Sequence, residues 1–125
     1  LNDLWLFTYE TETWSELPQY NRIAGRDVCS LVTLNSDTLL LYGGVNTNTE
    51  KNFSDLYVYS LSKGDWTQLA VAEPIENRQF ATISFCGGRL YLFGGYGITA
   101  DERYYNDLYR IDVNLKEKSA NFVLV

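Results

Sequence analysis

The 125-residue chain is 46 % hydrophobic and 15 % aromatic, enough apolar material for one cored domain, which excludes a disordered chain. Its net charge is −6, and its ten Lys and Arg are scattered mostly singly; without a concentrated basic face, neither nucleic acid nor an anionic membrane is expected as a partner. No apolar run reaches the roughly 18–20 residues of a spanning helix, and no basic-apolar leader opens the chain, which does not start with Met.

In chain order the sequence breaks into short β-type runs bounded by turn residues. Residues 1–17 hold two runs around a polar turn. Runs at 27–34 and 38–42 follow, the second ending at Gly43-Gly44. A polar stretch, 45–54, precedes runs at 55–61 and 65–69. The series then repeats: 79–85, a turn at Gly87-Gly88, 89–93 ending at Gly94-Gly95, a polar stretch at 96–106, and runs at 107–113 and 121–125. No helical periodicity is visible. The nearly unbroken apolar runs 39–42 and 90–93 predict strands buried on both faces.

The repetition is numerical. Leu4, Leu56 and Leu108 fall 52 residues apart, as do Asp3, Asp55 and Asp107; Trp14 and Trp66 share the period, as do Arg26 and Arg78. The glycine pairs recur after 51, so one residue is lost between units. Four short strands per repeat make one small antiparallel sheet. A sheet apolar on both faces must be covered on both, and radial stacking of copies achieves this in a propeller. The domains expected are the outer two strands of one blade at 1–17, a second blade at 22–69 and a third at 75–125.

Gly-Gly, then Asn/Ser-Asp-Leu-aromatic, then an aromatic seven residues before Trp (Tyr59 and Trp66, Phe7 and Trp14) resembles the kelch repeat, whose period lies near 50. The resemblance covers essentially the whole chain and implies an all-β fold: kelch-type β-propeller blades, four-stranded antiparallel sheets, about two and a half of them, an incomplete propeller. Propellers close with about four to eight blades, so further blades in the same polypeptide, or self-association, are expected to cover the bare faces. The family's habit of sharing one blade between the two chain ends is a further implication. Two departures stand out. Ile111 takes the place of the aromatic, and Lys118 the place of Trp, with Phe122 the nearest aromatic; the third outer strand is therefore degenerate or shifted by an insertion.

Each motif residue has a physical role. Gly43, Gly44, Gly94 and Gly95 lack Cβ atoms, which allows positive φ and close packing. Trp14 and Trp66 are plates expected to cover that backbone. Asp3, Asp55 and Asp107 are expected to fix the turn before the third strand through backbone N–H groups. Arg26 and Arg78 open the first strand of each blade, either as structural ion pairs with a loop acid or as binding-face residues.

Up-and-down connectivity puts the long second-to-third-strand loops and the links between blades on one face. Loops of this length are where function sits. By resemblance to kelch substrate adaptors, this face docks a protein partner, and its candidate residues are Arg26, Asn46, Arg78, Tyr96, Arg103 and Tyr104. Catalysis is not expected. With no His in the chain there is no Ser-His-Asp set, no complete copper-oxidase site, and no His beside Cys29 or Cys86. The glycine pairs lead into no phosphate loop, and the adjacent Asp101 and Glu102 read as solvated. No cofactor and no metal is expected. The alternative is the propeller portion of an enzyme, such as a phosphatase with an N-terminal kelch domain. The two cysteines are too few for a disulfide framework and sit in apolar stretches, so buried thiols and a cytoplasmic, intracellular setting are expected.

Overall fold

The computed structural model describes residues 1–98 and 102–125; Asp101 lies outside the described residues. Among the described residues thirteen strands follow in order. β1 (Trp5–Thr8) and β2 (Thr13–Glu16) come first, then β3 (Ser30–Thr33), β4 (Thr38–Tyr42), β5 (Val45–Asn46) and β6 (Lys51–Asn52). β7 (Leu56–Ser60), β8 (Asp65–Gln68) and β9 (Ala70–Val71) lead to β10 (Thr82–Cys86), β11 (Arg89–Gly97), β12 (Arg103–Asn114) and β13 (Ser119–Leu124). Among the described residues there is no helix, hence none long and apolar enough to cross a membrane.

β1 and β2 form a two-stranded sheet, β3-β4-β7-β8 a four-stranded antiparallel sheet, and β10-β11-β12-β13 a second one with β9 added at its outer edge. The side-chain period of two explains how the sheets stack. Along β4 and β7, Leu40 and Tyr42 share a face with their partners Val58 and Leu56, while Leu39 and Leu41 share the other with Tyr59 and Tyr57. The first face packs on Ala81, Ile83, Leu90, Leu92, Ile111 and Ala120 of the next sheet. The second packs, with Trp66, against Leu4 and Leu17 of the preceding unit and Ile23 of the link between them. Both faces of the middle sheet are thus buried, as the unbroken run 39–42 predicts. Leu40, Leu56, Tyr59 and Leu92 are fully enclosed, each contributing roughly 1.5–3 kcal/mol by leaving water.

The outer edges are closed by the links between blades, which the sequence runs did not reveal. β9 belongs to the link after β8, yet it pairs in parallel with β13 of the next blade, Ser119 opposite Ala70. One blade earlier the same job falls to side chains. Asn21 Nδ2 donates to the Trp66 carbonyl and its Oδ1 accepts from the Trp66 amide, both at 2.7 Å, while Trp66 Nε1 donates to Gln19 Oε1 at 2.8 Å. Closing an edge this way satisfies backbone groups that would otherwise template foreign strands.

Two expectations are corrected and one open alternative is resolved. The stretch 96–106 is not simply a loop: Gly95, Tyr96 and Gly97 pair with Tyr105, Tyr104 and Arg103, so β11 and β12 continue outward beyond a bulge between Phe93 and Gly95. The 45–54 stretch likewise holds the small hairpin of β5 and β6. Second, the third outer strand is shifted rather than degenerate. Ile111 faces Phe122 across the sheet, as Tyr59 faces Trp66. The turn has four residues in both hairpins, between Ser60 and Asp65 and between Asn114 and Ser119; the insertion therefore lengthens each strand by two residues and preserves which face every side chain takes. Third, Cys86 is exposed and Cys29 half-buried, both free thiols; burial pushes the Cys29 thiol up.

Candidate functional site

The end of the blades that carries β5–β6 and the tip of β11–β12 also carries the two arginines. Arg26 is buried. Its Nη1 lies 2.5 Å from Asp55 Oδ1 and 3.0 Å from the Gly43 carbonyl, its Nη2 lies 3.3 Å from Asp55 Oδ2, and its Cζ sits 4.0 Å over the Phe53 ring. Arg78 repeats this one blade on. It bonds both oxygens of Asp107, with Nη2 to Oδ2 at 2.8 Å, and the Gly94 carbonyl at 3.1 Å; Cζ lies 3.9 Å over Tyr105. Only 1 % of Arg78 is exposed. A planar guanidinium suits this place because it meets a carboxylate with two parallel bonds and stacks on a ring at once.

Of the two roles the sequence left open, Arg26 and Arg78 take the first, structural ion pairs, and leave the list of binding-face candidates: each guanidinium is buried and engaged by a carboxylate, a carbonyl and a ring. Asp55 and Asp107 likewise serve these arginines rather than the turn amides. The Arg78 guanidinium holds the Asp107 carboxyl below its ordinary range, chiefly through their hydrogen bond. Asp3, at the same position of the first unit, instead accepts a 2.8 Å bond from Trp5 Nε1.

The glycine pairs explain how the braces fit. Gly43, Gly44, Gly94 and Gly95 all have positive φ, from 65° to 106°. A Cβ on Gly44 would stand 2.6 Å from the Asp27 carbonyl, and one on Gly95 2.9 Å from that of Gln79. Backbone carbonyls, not tryptophan, cover these glycines: those of Asp27 and Gln79 ahead of the first strands, of Arg78 in the next blade over Gly43, and of Tyr105 over Gly94. Trp14 and Trp66 pack instead on their hairpin partners Phe7 and Tyr59, with ring centroids 5.1 Å apart in both pairs.

Neighbouring blades are tied together at this end. The Gly44 amide donates to the Arg78 carbonyl at 3.0 Å, Tyr42 OH to the Glu76 carbonyl at 3.0 Å, and Gln79 Nε2 to Asn52 Oδ1 at 2.8 Å. Burial pushes the Tyr42 phenol far above its ordinary range, so it stays a donor. On this platform stand the remaining candidates. Asn46 is spent on its own turn, accepting from the Asn48 and Thr49 amides and donating to Gly25. Tyr96 is half-buried against Tyr104, rings 5.1 Å apart. Arg103 is exposed, with its guanidinium 5.3 Å over Tyr105. Tyr104 is 81 % exposed. Arg103 and Tyr104, beside Tyr96 and Tyr105, are the candidates whose side chains remain exposed.

Of the rings under the two guanidinium groups, Tyr105 stood among the loop aromatics of the sequence without this role and Phe53 was missed, although the two lie 52 apart. Among the described residues no group of three His, Cys, Asp or Glu side chains converges on a metal-sized site.

Comparison with known proteins agrees with this architecture. The model of the KLHDC2/KLHL20/DRC7 Kelch-repeats domain matches residues 1–121. Kelch domain-containing protein 2 of Bos taurus is 33 % identical over 97 residues, which is 76 % of this chain and 24 % of that protein. The flagellar outer-arm dynein alpha chain of Chlamydomonas reinhardtii is 30 % identical over 117 residues, 86 % of this chain and 2 % of that one. An N-(sulfonatooxy)prop-2-enimidothioate sulfolyase of Thlaspi arvense is 32 % identical over 102 residues, 75 % of this chain and 28 % of the enzyme. The chain thus spans between 2 % and 28 % of the length of these relatives.

Proposed function

This chain belongs to the kelch-repeat family, and on that premise we propose that it is a non-catalytic protein-binding segment of a longer propeller, an adaptor platform that docks a partner on the end carrying Arg103 and Tyr104. The supporting observation is the division of labour among the candidates. Arg26 and Arg78 are buried as braces, and the rigid end they create presents an arginine and a tyrosine to solvent. Arginine and tyrosine are enriched in the energetic centres of protein interfaces. Tyr104 is held by a β-pair with Tyr96 rather than by a loose loop, so little ordering entropy opposes docking.

The test is Arg103→Ala with Tyr104→Ala in the complete protein. Partner affinity is expected to fall by 10-fold or more, about 1.4 kcal/mol or more, with the melting temperature unchanged. Unchanged affinity removes this hairpin from the binding face.

A second reading rests on the resemblance to a sulfolyase: the segment is the propeller part of an enzyme. Lyase activity of the complete protein that survives loss of partner binding supports that reading over the first.

A further inference from the structure

The β5–β6 hairpin leaves one strand edge of the middle blade open. Val45 exchanges both backbone bonds with Asp27, at 2.7 and 3.0 Å. It stands opposite Asn52, and its amide and carbonyl, turned to Asp27, do not reach that partner. Phe53 N donates to the Gly44 carbonyl at 2.9 Å, which fixes the alternation: Phe53 turns its amide inward, while Asn52 and Ser54 turn theirs outward. Among the described residues no backbone carbonyl meets either outward amide. The next blade repeats the arrangement. Gln79 and Tyr96 exchange both bonds at 2.8 Å, and Tyr104, opposite Tyr96 and 52 residues after Asn52, faces outward in the same way.

In the middle blade this edge borders a groove of about 520 Å³, every lining residue of which lies between 51 and 74. Residues 51–56 form one side. The link to the next blade forms the other, with exposed Ala70 and Pro74 and half-buried Val71. Ala70 N donates to the Lys118 carbonyl at 2.8 Å, so the link is fastened to β13 and the groove has a fixed width. Asp55, the acid on the strand side, is committed to Arg26. Lys51 is exposed, with Nζ 5.3 Å over the Phe53 ring, and among the described residues no carboxylate lies within ion-pair distance of it. The free charge of the groove is therefore positive.

From these features we propose that the groove docks an extended, acidic segment of a protein partner, which adds a strand beside β6. The segment's backbone pairs with the outward groups of Asn52 and Ser54. Its side chains alternate: one set packs on Ala70, Val71 and Pro74, and a carboxylate meets Lys51. A helical segment has spent its own backbone groups internally and cannot use this edge. Bonds to so short an edge are few, so the acid and the apolar contacts supply the selectivity. The inference goes beyond the reading above, because it needs neither Arg103 nor Tyr104.

The test uses the complete protein and a phage-displayed library of random octapeptides, from which the selected binders are made synthetically. Acidic sequences alternating with β-branched residues are expected. Ala70→Trp, at an exposed position in the groove, is expected to weaken them by about 10-fold or more, and Lys51→Glu by about 3-fold or more, with the melting temperature unchanged in both. On the unaltered protein, N-methyl groups on alternate peptide residues are expected to abolish binding in the register that faces β6 and to leave it within about 2-fold in the other. Arg103→Ala with Tyr104→Ala is expected to leave peptide affinity within about 2-fold, so the groove and the exposed hairpin fail separately. A library that yields no binder weakened by Ala70→Trp overturns the proposal. So does an equal response to N-methylation in both registers, or a basic consensus that Lys51→Glu strengthens.

Discussion

Arg78 is a buried charge compensated chiefly by one carboxylate. Its side chain has no exposed surface, while that of Asp107 is 26 % exposed. Removing the acid strands the cation in a low-dielectric setting, which costs about 3–5 kcal/mol; removing the arginine leaves an acid that still reaches water. Asp107→Asn is therefore expected to destabilise the protein more than Arg78→Met, by denaturant unfolding of the complete protein. The pair also has a pH signature. Asp107's folded value lies below its ordinary 3.8, so its contribution is fully present above about pH 4 and is lost as pH falls through the folded value. The wild type is expected to lose stability steeply in that acid window, and Asp107→Asn to show a flatter profile there. At this scale the sequence was only half legible. The recurrence of Arg26 and Arg78, of Asp55 and Asp107, and of Phe53 and Tyr105 stood in the period, but the period does not say which recurring residues touch. The choice between brace and binding residue was settled by burial, which depends on the neighbouring sheet.

Strand elements were legible where apolar runs decided them and obscure where backbone geometry did. The run at 38–42 matches β4 residue for residue. The hairpin extension through Gly95, Tyr96 and Gly97 was not legible, because its residues are those of a loop; a bulge at the glycines realigns the two strands and lets pairing resume. The shift of Phe122 was hidden for a similar reason: an insertion split equally between two strands preserves every facing, yet it destroys the spacing by which an aromatic seven residues before Trp is recognised. The first strands add a strained position. Val28 and Phe80, 52 residues apart, both have positive φ, 50° and 56°, a region that costs a branched or bulky residue about 1–2 kcal/mol. Phe80 N donates to the Val28 carbonyl at 3.1 Å, a bond between blades that holds this geometry. Phe80 is largely exposed, so Phe80→Asn keeps the bond and relieves the strain. It is expected to raise stability by about 0.5–1 kcal/mol, measured by denaturant midpoint; a drop of that size would mean the ring has a packing role of its own.

At the scale of the molecule, the two outermost faces differ in kind from the interfaces within. The preceding side shows Trp5, Phe7 and Trp14, and the following side shows Tyr91, Phe93 and Arg110, the last paired with Asp112. Their counterparts in the middle sheet, Tyr57, Tyr59 and Trp66 on one side and Leu40, Tyr42 and Val58 on the other, are covered. Stacked blades cover one another's flanks, which leaves the two ends of each blade as the surfaces where sequence can vary without cost to the core. One end carries the tight turns at 9–12, 34–37, 61–64, 87–88 and 115–118; the other carries the hairpins, the braces and Tyr104. The most direct test of the binding account is a photo-reactive side chain placed in the complete protein at Tyr104 and, as its control, at the exposed Ser36 on the opposite end. The account predicts that position 104 cross-links a discrete protein partner, that position 36 does not, and that Arg103→Ala weakens the cross-link. Equal cross-linking from both ends, or a partner trapped from Ser36 alone, would contradict it.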